Sequence, residues 1–152
     1  MPWLLLAITA IALVFDFLNG FHDASNIVAT LISSRAVAPR TALILTAVAE
    51  LAGPFLFGVA VATTIGSEVV DPTAITSAVI LAALLGAIAW NLLTWYLGWP
   101  SSTSHALIGG LLGAVLAAAG PSAIRLAGLE KVLIALFLSP VLGFVLAFVA
   151  LR

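Results

Sequence analysis

The chain has 152 residues, of which 64% are hydrophobic and only 7% are charged, and its formal net charge is −1. A soluble domain carries roughly 25% charged residues, so this chain cannot cover a globule with a water-compatible surface. The composition excludes an ordinary soluble protein, and the near-zero charge argues against nucleic acid as a partner. It predicts an all-α integral membrane protein whose main solvent is the lipid bilayer.

Five mostly apolar segments approach the roughly 20 residues that a helix needs to cross a bilayer. They are predicted at Trp3–Ser33, Thr41–Thr64, Thr73–Gly98, His105–Ala119 and Val132–Leu151. Short polar stretches separate them, and their charged residues are expected to be solvated: Glu68, Asp71, Arg125, Glu130 and Lys131. Residues 1–152 are therefore predicted to form a single transmembrane domain, multi-pass, in the plasma or inner membrane.

The first segment carries a stripe of polar residues along one face. The stripe residues follow each other in steps of three and four, and they are Asp16, Asn19, Asp23, Asn26, Thr30 and Ser33. At about 100° per residue they fall within an arc of roughly 100°, and His22 borders that arc. An ionised carboxylate is costly inside a membrane, so Asp16 and Asp23 need cations, protons, water or facing polar helices. The stripe therefore predicts a site, although Thr30 and Ser33 fit helix–helix contacts equally well.

A helix break is predicted at residues 99–105, in the sequence WPSSTSH. Pro100 ends the preceding helix. The four hydroxyl residues that follow suit the N-cap and first turn of the next helix, and they are Ser101, Ser102, Thr103 and Ser104. Their hydroxyls and the free N–H groups of that turn predict an anion site, or alternatively an ordinary capped turn at the membrane surface. His105 could carry a proton, donate to the anion or orient the turn.

Three further polar residues interrupt apolar segments. Glu50 lies about ten residues into the second segment and is an intramembrane acid, hence a candidate site residue. A neutral Glu50 bonded to a neighbouring helix is the alternative. Asn91 and Thr94 share a face of the third segment, and we expect both to form hydrogen bonds between helices.

Two stretches carry a family resemblance. FLNGFHDASNIVATLISSRAVAP and WNLLTWYLGWPSSTSHALIGGLLGA resemble the two signature blocks of the inorganic phosphate transporter (PiT) family, in the family's order, and cover the first four segments. The resemblance implies a non-enzymatic symport of inorganic phosphate with Na⁺ or H⁺ and no other cofactor. It implies phosphate binding by Asp23, Asn26, Ser101, Ser102, Thr103 and Ser104.

The resemblance also implies where the coupling ion binds. Na⁺ could bind at Asp23 and Asn26. The wider set of residues that could hold the ion or proton is Asp16, Asn19, Asp23, Asn26, Glu50 and His105. Glu50 matches an acidic position of many members, which favours Na⁺.

PiT proteins carry two copies of the signature in halves of opposite orientation, whereas this chain has one copy. The resemblance therefore implies one unit of an inverted-repeat transporter, a half-transporter. It would pair with a second copy of itself in opposite orientation or with a homologous second half. Arg35, Arg40 and Arg152 would lie on one side of five spans and Arg125 and Lys131 on the other, so the positive-inside rule barely sets an orientation.

Three alternative functions remain open from the sequence. The anion could be sulfate or another tetrahedral oxyanion. Ser102, His105 and Asp23 could form an intramembrane serine hydrolase, although the G-x-S-x-G motif of one hydrolase class is absent. The chain could also be an accessory half that does not transport.

Overall fold

The computed structural model describes residues 2–59, 63–150 and 152. The five long helices in these ranges are α1 (Pro2–Ser33), α2 (Pro39–Phe57), α3 (Ser77–Leu97), α4 (Thr103–Ala119) and α5 (Leu126–Ala150). Short helical turns lie at Ile65–Val69, Pro72–Ala74 and Pro121–Ala123. Val70 and Ile124 form an isolated antiparallel bridge, and the described residues contain no strand. The predicted all-α class is confirmed.

Three helices, α1, α3 and α5, are long and apolar enough to cross a membrane, and α4 is a shorter apolar helix of 17 residues. The 32 residues of α1 reach about 48 Å at 1.5 Å per residue, which exceeds the roughly 30 Å of a hydrocarbon core. The polar stripe does not interrupt this helix. The structure thus supports a multi-pass membrane domain, with three candidate spans where the sequence predicts about five.

The helix ends differ from the predicted ones for local reasons. The second segment was predicted to reach Thr64, but α2 ends at Phe57, and residues 60–62 lie outside the described residues. The start of α3 is later than predicted, because Asp71 and Pro72 open a separate turn and the Thr76 hydroxyl accepts a hydrogen bond from the Val79 N–H at 3.3 Å. The prediction that the fifth helix starts at Val132 is wrong, since α5 begins six residues earlier. Its predicted end, Leu151, is outside the described residues.

The predicted break between the third and fourth helices lies between Leu97 and Thr103. Gly98 ends α3 in the left-handed conformation, with φ 66°, which glycine adopts without strain. The α3 and α4 helices then fold back on each other as the most closely packed helix pair. A Cβ atom added to Gly110 would lie 2.5 Å from the Ala83 carbonyl oxygen. This close backbone approach lets α3 and α4 pack tightly along the hairpin, and α1 packs against α3.

A set of contacts, called the latch below, joins two segments that are far apart in the sequence, residues 65–71 and residues 123–131. The Asp71 N–H donates to the Ala123 carbonyl at 2.8 Å, and the Arg125 N–H donates to the Val69 carbonyl at 2.9 Å. Val69 and Val70 are fully buried within it. Backbone hydrogen bonds and buried valines therefore stabilise the latch.

Four of the charged residues that the sequence predicts to be solvated form two ion pairs in the latch. Lys131 Nζ lies 2.7 Å from Glu68 Oε2, and Arg125 Nη2 lies 3.6 Å from Asp71 Oδ2. These side chains are about half exposed, so solvent screens both pairs and neither contributes much to stability. Hydrogen bonds from the Thr73 N–H and hydroxyl, and then the Arg125 charge, hold the pKa of the Asp71 carboxyl below its ordinary value.

The early start of α5 depends on Gly128. A Cβ atom at this position would lie 1.9 Å from the Glu68 carbonyl oxygen, so only glycine lets the first turns of α5 lie against residues 65–69. The rest of α5 is largely exposed and apolar. In a membrane protein such a surface faces lipid or another transmembrane unit.

We expect Gly128→Ala to lower the unfolding temperature, because overpacking costs about 1–3 kcal/mol and here the clash is with backbone. Gly143→Ala is the matched control, because a Cβ atom there meets nothing within 4 Å and alanine favours the same helix. Thermal unfolding of the purified proteins in detergent measures both effects. Equal unfolding temperatures for the two variants would contradict the latch.

Candidate functional site

The polar stripe of α1 meets the start of α4 at Thr103. The Thr103 side chain is buried, with 1% of its surface exposed. Its hydroxyl contacts Asn19 Oδ1 and donates to Asp23 Oδ2 at 3.1 Å. Asn19 and Asp23 lie one turn apart on α1, so both reach the same atom. The two polar features of the sequence therefore form one cluster of three side-chain oxygens.

The hydrogen bonds of this cluster require a further proton or cation, or a rotated amide. The Thr103 hydroxyl has one hydrogen and faces two acceptors, Asn19 Oδ1 and Asp23 Oδ2. The contact is satisfied if Asn19 presents its amide nitrogen instead, since the two ends of an amide are assigned from the hydrogen-bond network. It is also satisfied if Asp23 carries a proton, or if a cation lies among the oxygens.

A cavity of about 420 Å³ lies beside this cluster, between α1 and the tip of the hairpin. His22, Ser25 and Asn26 of α1 line one side, and Ser101 lines the other. The Ser101 hydroxyl oxygen is buried and has no hydrogen-bond partner within the described residues. A buried hydroxyl without a partner is costly, which makes Ser101 a candidate for a polar contact that the described residues do not supply.

The first turn of α4 opens next to the cavity. Ser102 is the N-cap residue, and its hydroxyl accepts a hydrogen bond from the His105 N–H at 3.4 Å. Ser102, Ser104 and His105 are exposed. The positive end of the helix dipole and the first N–H groups of α4 are directed towards this end. The break therefore offers hydroxyls and amide donors where an oxyanion could approach.

Two of the candidate acids lie outside this arrangement. Asp16 is exposed about two turns before Asp23 on α1. Glu50 is exposed on α2. Within the described residues, neither carboxylate forms a hydrogen bond or ion pair with the Thr103 cluster. The geometry brings together Asn19, Asp23, Asn26 and Ser101–Thr103 and leaves these acids apart.

Two polar residues of α3 do not form the hydrogen bonds that the sequence predicts. The Thr94 hydroxyl donates to the Trp90 carbonyl at 3.0 Å, so it bonds its own helix and not a neighbouring helix. Asn91 is buried, and within the described residues its side chain has no hydrogen-bond partner at all. Within the described residues, neither side chain therefore forms an interhelical hydrogen bond, although both are buried.

His22 was missed as a site residue. It is only 9% exposed and lines the cavity beside Asn26. The sequence signal was its spacing of three from Asn19 and four from Asn26, which places it at the border of the stripe.

The described residues do not assemble a hydrolase or a metal centre of the His/Asp/Glu type. Asp23 contacts Thr103 and not His105, and the Ser102 hydroxyl contacts a backbone N–H. These contacts differ from the nucleophile–base–acid chain of a serine hydrolase. No group of three His, Cys, Asp or Glu side chains in these ranges could hold a metal ion.

Comparison with known proteins identifies the family of this chain. Residues 19–152 match the phosphate transporter family. The chain is 52% identical to a Bacillus subtilis protein over 96% of the chain and 44% of the relative, and 51% identical to a Rhizobium meliloti protein over 95% and 43%. A Streptomyces halstedii protein is 49% identical over 95% of the chain and 68% of the relative. Each relative is described as a "probable low-affinity inorganic phosphate transporter".

The chain spans less than half the length of the first two of these relatives. No solved structure matches it. The family match covers the α1 stripe from Asn19 onwards and the helix break, and the family consists of transporters rather than enzymes. This chain is an integral, multi-pass membrane protein that belongs to the phosphate transporter family.

Proposed function

We propose that this chain is one half of a secondary transporter that moves inorganic phosphate across a membrane together with Na⁺ or H⁺. The observation that carries the proposal is the contact of Thr103, at the start of α4, with Asn19 and Asp23 in the middle of α1. This contact puts an acid beside a helix start that can bind an anion. The family match and the names of the relatives support phosphate as that anion.

Phosphate binds, in this proposal, in the cavity beside the break. Ser101, Ser102 and Ser104 supply hydroxyl donors, Asn26 supplies its amide, and the first N–H groups of α4 supply the rest. Hydrogen bonds to an ionised oxygen are the stronger kind. The Thr103 hydroxyl is engaged with α1, so Thr103 contributes its backbone N–H to the anion and its side chain to the link with Asp23.

Asp23 couples the two solutes. An ionised Asp23 would repel phosphate, so the anion binds well only after Na⁺ or H⁺ has neutralised the carboxylate. Asn19 Oδ1, Asp23 Oδ2 and Thr103 Oγ1 are oxygen ligands, which hard cations prefer, and Asn26 lies one turn further along α1. Asp16, Glu50 and His105 lie outside this cluster and remain candidates for a second ion or proton.

The coupling ion is identified by imposing one gradient at a time on proteoliposomes. Phosphate uptake that follows an inward Na⁺ gradient at constant pH assigns Na⁺, and uptake that follows an acid-outside gradient without Na⁺ assigns H⁺. Sulfate competition tests the choice of anion in the same vesicles. Equal competition by sulfate and phosphate would assign a general oxyanion permease.

A second half completes the transporter in this proposal. It is either a homologous sequence or another copy of this chain in opposite orientation, and each half has five spans. The large apolar surface of α5 and the partial coverage of the relatives support this arrangement. Alternating access would come from movement of one half against the other around the shared site. Uptake by the chain expressed alone distinguishes a self-pairing half from an accessory half.

We expect Asp23→Asn to abolish phosphate uptake, because asparagine neither carries the charge that attracts Na⁺ nor exchanges a proton. Loss of hydrogen bonds to a charged group alone costs about 1.5–3 kcal/mol, or about tenfold or more. Asp16→Asn removes the same charge from the same stripe, but away from Thr103, and should have a smaller effect. Radiolabelled phosphate uptake, normalised to inserted protein, measures both. An Asp23→Asn variant as active as the parent would refute the assignment.

We expect Ser101→Ala to raise the KM for phosphate by about tenfold to hundredfold, since it removes one donor to a charged ligand. Its unfolding temperature should not fall, because the hydroxyl has no partner among the described residues. Ser122→Ala, at an exposed position of the turn Pro121–Ala123, is the control and should match the parent in both measurements. A phosphate KM unchanged in Ser101→Ala would exclude this hydroxyl from the site.

A further inference from the structure

The loop between α1 and α2 carries two arginines, Arg35 and Arg40, whose charges are not paired. The chain has five lysines and arginines in all. Two of the other three form ion pairs in the latch, and the Arg152 guanidinium lies 4.4 Å from the centre of the Phe148 ring. Within residues 2–59, 63–150 and 152, the exposed side chains of Arg35 and Arg40 form no such contact. Their charges are therefore free for a partner outside the chain.

The backbone at Arg35 indicates that this side chain has a use. Arg35 has φ 56°, and it is the only residue other than glycine with a positive φ in the described ranges. Its N–H donates to the Ile32 carbonyl at 3.1 Å, just after the end of α1. Glycine adopts this left-handed conformation without strain, whereas an arginine is strained in it. The loop therefore holds a cationic side chain at a position where glycine would be more stable, and such strain is typical of functional positions.

The surroundings of the two arginines combine uncompensated charge with exposed apolar side chains. The sequence has no acid between Asp23 and Glu50, so no neighbouring carboxylate offsets the two positive charges. Leu31, in the last turns of α1, and Leu43 and Ile44, in the first turns of α2, are all exposed. A cationic loop between two apolar helix ends has the composition of a segment at the level of lipid headgroups.

We propose that Arg35 and Arg40 bind the phosphate group of an anionic membrane lipid. Guanidinium groups match phosphate oxygens in charge and in bidentate geometry. The N-cap residue Ala38 gives no side-chain hydrogen bond to the first N–H groups of α2, so these groups can also donate to the phosphate. The acyl chains of the lipid would cover the exposed leucines and isoleucine beside the loop. Free inorganic phosphate has no apolar part that could use them, so the surface fits a lipid better.

The first test measures thermal unfolding of the purified chain in detergent while lipid is added. We expect phosphatidylglycerol to raise the unfolding temperature more than phosphatidylcholine, whose choline cation neutralises its phosphate. The attraction of each arginine to an anionic membrane surface corresponds to about a fivefold change in binding. Arg35→Gly combined with Arg40→Gln should therefore raise the phosphatidylglycerol concentration that gives half the effect by about 25-fold.

Two single variants separate lipid binding from an effect on folding. Lys131→Gln removes one positive charge that is already paired with Glu68, and it should keep the parent's half-effect concentration. Arg35→Gly alone should raise this concentration about fivefold. Its unfolding temperature without lipid should not fall, because glycine fits the left-handed conformation. A loss of the lipid response in Arg35→Gly then comes from the missing charge and not from misfolding.

A second probe separates the lipid from the free anion. If inorganic phosphate alone raises the unfolding temperature of the parent and loses this effect in the double variant of Arg35 and Arg40, the arginines bind the free anion, and the lipid assignment is overturned. Equal responses of the parent to the two lipids, or a double variant with the parent's half-effect concentration, also overturn it. These measurements do not use phosphate uptake, so failure of the lipid site and failure of the proposed transport function are observed separately.

Discussion

A carboxylate in the middle of an apolar helix needs a partner, and Asp23 has one in the hydroxyl of Thr103. This contact ties α1 to the start of α4, while most of the packing of α1 on the hairpin is against α3. It brings the polar stripe to the first turn of α4, whose first backbone N–H groups have no partner within the helix. An acid and the start of a helix then lie within one cluster, and in the proposed function the coupling of phosphate to Na⁺ or H⁺ is a local electrostatic effect.

Tight packing elsewhere keeps the two partners in place. The backbone contact between Gly110 and Ala83 holds α3 against α4. The latch does the same for α5 at the opposite end of these two helices, through Val69, Val70 and Gly128. These contacts leave the cavity between α1 and the break as a place where a guest can enter without disturbing the helix packing.

Much of the site was predictable from the sequence because its signals are local. The steps of three and four residues from Asp16 to Ser33 put the stripe on one face, and Pro100 with four hydroxyl residues marked the break. The spacing of the residues does not show which residues of the stripe contact the helix break. Thr103 was predicted as one phosphate ligand among four, yet its buried hydroxyl joins the helices. That role depends on which side of α4 packs against α1.

Other features could not be predicted because they depend on contacts distant in the sequence. Arg125 and Lys131 looked like solvated loop charges, and they pair with Asp71 and Glu68 more than fifty residues earlier. The early start of α5 follows from the same contacts. Asn91 looked like an interhelical contact, because a helical pattern shows which face a residue shares but not whether that face meets a donor, an acceptor or a cavity.

The most direct test of the account is a double-mutant cycle across the contact of α1 with the break. Asn19→Ala and Thr103→Val each remove one side of this contact, and each should raise the phosphate KM by about tenfold, the value of one hydrogen bond in a charged cluster. If the two residues act through one shared contact, the double variant should have about the same KM as the single variant with the higher KM. Losses that multiply to about a hundredfold would mean that the two residues act independently, and single variants that bind phosphate like the parent would place the site elsewhere.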